Sequence, residues 1–312
     1  MLPVLEAVPN FSEGKDLDWV RGVVDAVART GVEVLDWSAD PDHNRSVVTF
    51  IGDPPSVEAA ALEAARFSLE RLDLRTHRGV HPRVGALDVL PFVPLQGLTM
   101  DDAVASAHRV GAAVAGLGVP VYFYGRASSP PGRRLADLRR GGFEALRDRF
   151  PEGSVPDLPA GRTSAHPTAG VTCVGARGQL LAWNVYVEGV SPDLVRALAA
   201  ELRERGGGFA SLRALAFELG SNGRVQLSMN LEEMDVTSPF EVFLKIERRV
   251  AEWGGRLAGT EVIGMIPDPL VLPAAADRLG LLEGSPSRLL SRRLARYVAE
   301  RSGSLTHQDR AP

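Results

Sequence analysis

The order of apolar segments along the chain constrains the fold more than any other feature of the sequence. In the first half, short apolar runs predict strands, and longer segments with apolar residues at helical spacing predict helices. The β-α-β-β-α-β order that results is the ferredoxin-like arrangement, extended by one more helix and strand. The predicted elements are strand 4–8, helix 16–29, strands 32–37 and 47–51 joined by a wide polar loop, helix 56–72, strand 87–95, helix 101–115 and strand 119–124.

The second half predicts the same order, although we detect no sequence identity between the halves. Its Ser221-Asn222-Gly223 segment is a strong hairpin signal. We therefore expect an α+β protein of two ferredoxin-like subdomains, residues 1–178 and 179–312, with mixed or antiparallel sheets and additional C-terminal helices. The predicted elements are strand 180–187, helix 191–205, strands 212–219 and 225–231, helix 240–253, strand 261–266, helices 269–279 and 287–300, and a disordered tail beyond 302.

Composition excludes several classes of protein. The 312 residues are 45% hydrophobic and 24% charged, which is ordinary for a globular protein with a sizeable core. The net charge of −4 argues against a dedicated nucleic-acid binder. No apolar run approaches the ~20 residues of a membrane-spanning helix, and the chain start lacks the basic and apolar segments of a signal peptide. We expect a cytoplasmic protein with no membrane contact.

The polar loop around His81 carries the most chemistry in the chain. Within residues 76–89 it combines two histidines with two arginines, and Gly79 and Pro82 exclude a helix. Histidine titrates near neutral pH and suits proton transfer, and arginine binds carboxylates in bidentate fashion. The loop therefore indicates a site that handles an acidic substrate with a titrating group, and the plainer alternative is a surface loop with solvated histidines.

Two other polar clusters, residues 9–14 and 40–45, also follow predicted strands. Loops at strand ends are where sites form, so the three clusters would build one pocket if they converge. No phosphate-binding or dinucleotide-binding glycine motif is present, which argues against nucleotide-triphosphate and nicotinamide enzymes. The one cysteine, Cys173, excludes an intramolecular disulfide and predicts a buried thiol on a strand. The spacing of His43, His77 and His81 is not diagnostic of zinc, and we expect no metal.

These clusters carry a resemblance to a known family. The matching motifs are VPNFSEG at 8–14, Asn44-Arg45, and HPR at 81–83 followed by GALDV at 85–89 and Pro91-Phe92. Shorter matches lie at 118–125, 174–177, 230–231 and 264–267. On these residues the chain resembles the glutamate formimidoyltransferase (formiminotransferase) family, in its single-function form without a cyclodeaminase domain.

The resemblance implies a fold of two ferredoxin-like subdomains and transfer of a formimino group between N-formimino-L-glutamate and tetrahydrofolate, in histidine degradation. Tetrahydrofolate would be the co-substrate, and a homodimer is expected. The family's catalytic histidine corresponds to His81, with His77 the weaker candidate. Its folate-binding loop corresponds to Gly161, Arg162, Thr163, Ser164, Ala165, His166, Pro167, Thr168, Ala169 and Gly170. This loop keeps the framing glycines and a proline but departs from the family at its other side chains.

The expected chemistry assigns supporting roles to several side chains. One histidine can take a proton from the attacking nitrogen and return it to the leaving nitrogen, and we expect His81 to do so. A carboxylate would favour the cationic formimino group, and Asp36, Asp40 and Asp42 are candidates. Arginines would bind the substrate carboxylates. The candidates for that role and for general support are Arg45, Arg83, Arg162, Asn10 and Asn44, whereas Arg133-Arg134 and Arg139-Arg140 are expected on the solvated surface.

Two alternatives stay open at this level. A formyl group differs from a formimino group by oxygen in place of nitrogen, so a folate-dependent glutamate formyltransferase would have a similar sequence. A non-catalytic folate-binding ferredoxin-like module is the other alternative, and it would bind folate without turnover.

Overall fold

The computed structural model describes residues 2–79, 82–219 and 224–279, together with residues 290, 292 and 295. The described residues form two compact units that divide between Gly178 and Gln179. The first unit contains β1 (Leu5–Ala7), β2 (Asn10–Phe11), α1 (Leu17–Ala28), β3 (Glu33–Asp40), β4 (Arg45–Gly52), α2 (Pro54–Arg71), β5 (Leu87–Pro94), α3 (Met100–Gly116), β6 (Val121–Gly125), α4 (Leu135–Leu138), α5 (Gly142–Leu146) and β7 (Thr172–Ala176).

The sheet of the first unit has the predicted ferredoxin-like order. The short strands β1 and β2 share one position between β4 and β5 and are antiparallel to both. Strand β3 pairs with the outer side of β4, so the order β3-β4-β1/β2-β5 is that of a β-α-β-β-α-β unit. Strand β7 then adds parallel to β5, and β6 adds parallel to β7. The sheet is therefore mixed.

Helices α1, α2 and α3 pack on one face of this sheet. On the other face, a second apolar cluster with Val89, Tyr122 and Phe143 covers the part formed by β5, β6 and β7. Each helix begins at a side-chain cap, supplied by Asp16, Asp53 and Thr99 respectively. Leu5, Ala7 and Phe11 point into the core beneath these helices, with Val23 and Ala64 among the buried helical residues that they join. Because side chains alternate between the two faces of a strand, Glu6 and Asn10 lie on the opposite face.

The second unit is a four-stranded antiparallel sheet in the order β11-β8-β10-β9. That order is again ferredoxin-like, and Trp183, Val185, Leu198 and Ile246 belong to its core. The predicted α+β fold of two such subdomains is confirmed. Its elements are β8 (Leu181–Glu188), α6 (Pro192–Leu202), a short 3₁₀ turn (Glu204–Gly206), β9 (Leu212–Leu219), β10 (Arg224–Leu231), α7 (Pro239–Glu252), β11 (Arg256–Ile263) and α8 (Asp268–Leu279).

Two predicted details are wrong for local reasons. The wide loop after β3 is a turn of only residues 41–44, because the Asp40 carboxylate accepts from the amides of Asp42 and His43 and closes it. The last strand begins at Arg256 rather than at 261, and an irregular register at Leu257/Gly259 hides the alternation of its first residues. The predicted hairpin turn 221–223, almost all of helix 287–300 and the tail beyond 302 lie outside the described residues.

Cys173 lies buried on β7, where burial raises the pKa of its thiol. In the described part of the chain, no helix is long and apolar enough to span a membrane.

Candidate active site

Asn44 joins the three polar clusters of the first unit. It adopts a left-handed backbone conformation with φ of 49°, which asparagine tolerates better than most residues. Its side-chain oxygen accepts from the Gly14 amide at 3.0 Å, and its side-chain nitrogen donates to the Arg78 carbonyl at 2.9 Å. Its own carbonyl oxygen lies 2.9 Å from Nε2 of His77. One buried asparagine thus connects segments 9–14, 40–45 and 76–83.

The His77–Arg83 loop comes close to this turn at Gly79. A Cβ atom on Gly79 would overlap the carbonyl oxygen of His43 and crowd the side chain of Asn44. Only glycine allows the backbone to approach this closely, which gives a structural reason for glycine at position 79. His81 itself lies outside the described residues, between Gly79 and Pro82.

Arg45 and Asn10 meet on the sheet face away from the helices. The Arg45 guanidinium donates to the side-chain oxygen of Asn10, whose amide nitrogen donates to the Val8 carbonyl at 2.6 Å. Burial, followed by the nearby charge of Arg139, lowers the pKa of Arg45 to about 10. The side chain therefore stays cationic at neutral pH.

Asp40 and His43 form a hydrogen-bonded pair across the turn, with Oδ2 and Nδ1 2.6 Å apart. This hydrogen bond raises the pKa of His43 above its ordinary value, against the opposing effect of burial. Burial alone would raise the pKa of Asp40, but its bonds with His43 outweigh burial and lower that pKa. The pair therefore favours a charged imidazolium beside a carboxylate.

Asp88 and Arg139 form a buried ion pair that we did not expect from the sequence. Asp88 is only 2% exposed, and one of its oxygens accepts from the amides of Val84 and Gly85 at 2.8 and 3.1 Å. Its other oxygen accepts from the Arg139 guanidinium. The prediction that Arg139 is solvated is wrong, because a buried carboxylate needs a cationic partner.

A cavity of about 400 Å³ opens beside these residues within the first unit. Arg83 forms a bidentate pair with Glu144 in its wall, with N–O distances of 3.1 and 2.9 Å. Three more guanidiniums face the same space, so positive charge exceeds negative charge around it. The lining residues are Arg75, His77, Arg78, Gly79, Arg83, Phe143, Glu144 and Arg147.

A second, much smaller cavity of about 10 Å³ shares His77 and Arg83 with the large one. Its other polar lining residues in the described part of the chain are Ser12, His43, Asn44, Arg45 and Asp88. Burial lowers the pKa of His77, which is 8% exposed, so this imidazole is neutral at neutral pH. The Nε2 atom of His77 faces the Asn44 carbonyl oxygen, so Nε2 must carry the proton of the neutral ring. The Nδ1 atom is therefore a hydrogen-bond acceptor. It is buried and has no hydrogen-bond partner among the described residues.

The 161–170 segment packs directly against the segment that carries this site. Thr168 accepts from the Leu74 amide, and Ala169 accepts from the Ala86 amide, both at 2.9 Å. Gly170 has φ of 70°, and a Cβ atom there would overlap the Val84 carbonyl. His166 folds the segment through its Nδ1, which accepts from the Ala169 amide at 3.1 Å. Arg162 donates to the Ser164 carbonyl at 3.1 Å.

The remaining predicted carboxylates lie apart from the two cavities. Asp36 pairs with Thr49 in the β3–β4 ladder and lines neither cavity, and Asp42 is exposed on the turn. Sequence reasoning missed Asp88, Arg139 and Glu144. Asp88 could have been found as an acid inside an apolar strand, whereas Glu144 lies on a short helix with no distinguishing motif.

The fold and the basic cavity place this chain in a class of proteins that have two ferredoxin-like units and a polar pocket in the first unit. Two family models match the chain: the N-terminal subdomain of the formiminotransferase domain over residues 4–177 and the formiminotransferase domain over residues 182–279. The chain belongs to the formiminotransferase family, and the resemblance read from the motifs is confirmed.

Relatives from three kinds of organism are similar over most of the chain. It is 36% identical to a glutamate formimidoyltransferase of Streptococcus pyogenes, over 88% of this chain and 93% of that protein. It is 35% identical to a glutamate formimidoyltransferase of Thermoplasma acidophilum, over 94% and 98%. It is 38% identical to a formimidoyltransferase-cyclodeaminase of Sus scrofa over 88% of this chain, and the match spans about half, 52%, of that longer protein.

Proposed function

We propose that this protein is a glutamate formimidoyltransferase, which moves a formimino group between N-formimino-L-glutamate and tetrahydrofolate. The observation that carries the proposal is the family match along both units, with relatives of that name covered over 93% and 98% of their length. The products would be 5-formimino-tetrahydrofolate and glutamate.

The charge around the large cavity supports this choice of substrates. Glutamate has two carboxylates and folate carries a glutamyl tail, so both substrates need cationic partners. Four arginines line the cavity, and guanidinium groups bind carboxylates through paired hydrogen bonds. Arg75, Arg83 and Arg147 already pair with protein carboxylates. Arg78 donates to the backbone carbonyls of Arg75 and His77. A volume of about 400 Å³ lies within the ordinary range for small-molecule sites.

The formimino group itself is cationic and favours a nearby carboxylate. Asp36, Asp40 and Asp42 are the candidates from the sequence, but none of them lines either cavity. Glu144 lies in the cavity wall instead, held in place by Arg83. We propose that Glu144 faces the cationic end of the donor.

The transfer needs one proton removed and one supplied. The folate nitrogen attacks the formimino carbon, a C–N bond forms, and that nitrogen loses its proton to a base. The bond from the carbon to the glutamate nitrogen then breaks, and the glutamate nitrogen gains a proton. We propose that His81 takes the first proton, and that the 161–170 segment contacts the pterin or its tail, since it packs on the segment that carries the site.

Three broader proposals rest on the family alone. The reaction would belong to histidine degradation, the protein would act in the cytoplasm, and two copies would form a homodimer. Mass measurement in solution tests the dimer without any assumption about activity.

The function is tested by incubating the purified full chain with N-formimino-L-glutamate and tetrahydrofolate and measuring free glutamate and the folate product. A parallel reaction replaces the donor with N-formyl-L-glutamate, which has oxygen in place of the formimino nitrogen. Turnover of the formimino donor with at least tenfold preference supports the proposal. Preference for the formyl donor indicates a formyltransferase, and folate binding without turnover of either donor indicates a binding module.

Arg78 offers a sharper test of the cavity's role in binding. Its guanidinium donates to the carbonyl oxygens of Arg75 and His77, at 3.3 and 2.8 Å, and neither acceptor carries a charge to offset its own. A substrate carboxylate would bond to it, and a charge-assisted hydrogen bond contributes about 1.5–3 kcal/mol. We expect Arg78→Ala to raise KM for one substrate by about tenfold or more, with little change in kcat.

Arg21→Ala is the matched control, because Arg21 is an exposed arginine on α1 whose ion pair is with Asp18. Initial rates across a range of both substrates give the two KM values. An Arg78→Ala enzyme with the KM values of the control would remove this arginine from the binding site.

A further inference from the structure

The Asp40–His43 pair suggests chemistry that the family motifs do not assign. His43 lines the small cavity together with Arg45, His77, Arg83 and Asp88. Its Nδ1 is 2.6 Å from the Asp40 carboxylate, and in acid–base enzymes a carboxylate placed in this way orients an imidazole and stabilises its charged form. The motif residues matched to the family around this turn are Asn44 and Arg45, whereas Asp40 and His43 lie outside them.

The pair is more than a turn closure. Turn closure requires only that the Asp40 carboxylate accept from backbone amides, and its Oδ1 already accepts from Asp42 and His43 at 2.9 Å each. The bond from Oδ2 to the imidazole is additional. The His43 side chain is only 13% exposed and lines the small cavity. An imidazole that served only to close the turn would face solvent.

The small cavity can hold one water molecule. Its volume of about 10 Å³ is near the lower limit for a single water, which also needs two to four polar partners. The Nδ1 atom of His77 is a buried acceptor, and no described residue donates a hydrogen bond to it. A water between His43 and His77 would donate to that nitrogen and would lie next to the large cavity, because His77 lines both.

We propose that His43, oriented by Asp40, is the proton donor for the leaving nitrogen of glutamate and acts through a water held between His43 and His77. This inference rests on the proposed formimino transfer. As the C–N bond breaks, the electron pair stays on the glutamate nitrogen, the water gives that nitrogen a proton, and His43 restores the proton to the water. The proton that the folate nitrogen loses goes to the separate base, so the two transfers balance.

The charges around His43 suit a donor. Asp40 and Asp42 on the turn favour the imidazolium, and Arg45 on β4 opposes it. The hydrogen bond with Asp40 is the largest influence, and the pKa of His43 is raised as a result. Among the described residues that line the small cavity, the other titratable side chains are His77, which is neutral, and Arg83 and Asp88, each of which is in an ion pair.

The test measures steady-state rates from pH 5 to 9 for wild type, His43→Gln and Asp40→Asn. A donor works only while protonated, so the wild-type rate should fall as pH rises through the His43 pKa. We expect His43→Gln to lower kcat by about a hundredfold with KM changed less than twofold. Asp40→Asn removes the bond that raises this pKa, so its alkaline limb should move to lower pH.

Asp18→Asn and His108→Gln are the matched controls. Asp18 is an exposed aspartate on α1 that pairs with Arg21, and His108 is an exposed histidine on α3 that bonds to the Ala127 carbonyl. Both variants should keep the wild-type rate and pH profile. The imidazole signal of His43, followed by NMR titration in wild type and Asp40→Asn, gives the pKa change without relying on activity.

The outcomes separate this inference from the proposed function. An active wild type with His43→Gln at wild-type kcat and pH profile overturns the role of His43 and leaves the function standing. A His43→Gln enzyme that loses thermal stability, yet has wild-type kcat below its melting temperature, shows a turn-closing residue only and also overturns it. A wild type that turns over neither donor overturns the function and this inference together.

Discussion

Replacing His81 with alanine is expected to lower kcat for formimino transfer by about two to four orders of magnitude. This range is the usual contribution of a positioned general acid or base. Without a base, the attacking folate nitrogen would keep its proton as the new C–N bond forms, and the tetrahedral intermediate would return to reactants. The measurement is glutamate release under saturating concentrations of both substrates, with His108→Gln as a control that removes an exposed imidazole elsewhere in the first unit.

Binding must be measured beside the rate, because the loop that carries His81 also carries Arg78 and Arg83 of the cavity wall. We expect the His81→Ala enzyme to bind tetrahydrofolate within about threefold of wild type, so that the loss appears in kcat. A variant that retains more than a tenth of the wild-type kcat would exclude His81 as the base. A variant that fails to bind folate would show a structural role for the loop.

The fold was predictable because its information is local. The three long helices of the first unit, α1, α2 and α3, each begin at a capping side chain such as Asp53 or Thr99, and apolar residues at helical spacing mark their buried faces. The element order then leaves few allowed topologies. The pairing of β3 with β4 followed from this order. The pairing of β9 with β10 followed from the order and from the Asn222-Gly223 signal between these strands.

The site was only partly predictable, because its remaining members meet across long stretches of chain. Asn10, Asn44, Arg45 and Arg83 fall in motifs, and the structure brings them to one region of the first unit. Arg139 pairs with Asp88, which is 51 residues away in the sequence. From the sequence alone, Arg139-Arg140 cannot be distinguished from a pair of solvated arginines. Side-chain periodicity carries no information about such partners, and only the need to neutralise a buried acid points to them.

The three candidate aspartates have different surroundings, although they are close together in the sequence. Asp36, Asp40 and Asp42 fall within seven residues of the sequence, yet Asp36 lies in a strand, Asp40 closes a turn and Asp42 is exposed. Asp40 takes its role from the short turn, and the sequence suggested a wide loop there. The short turn brings the Asp40 carboxylate to His43, and none of the three aspartates lines either cavity.

The largest stability effect is expected from Asp88→Asn. Asparagine keeps an oxygen for the Val84 and Gly85 amides, but it removes the charge that neutralises buried Arg139. Breaking a buried pair by removing one partner costs about 3–5 kcal/mol, a large share of the ~5–15 kcal/mol that stabilises a typical domain. Arg45 adds to the cost, since the charges of Arg139 and Arg45 already repel each other and Asp88 offsets them.

Urea denaturation, with hydrogen exchange used to isolate the first unit, measures the change in the free energy of unfolding. Asp148→Asn is the matched control because the Arg147–Asp148 pair is exposed, and it should leave stability unchanged. Adding Arg139→Met to Asp88→Asn should restore part of the lost stability, since it removes the uncompensated charge. A double variant no more stable than Asp88→Asn would show that the cost does not arise from the uncompensated charge of Arg139.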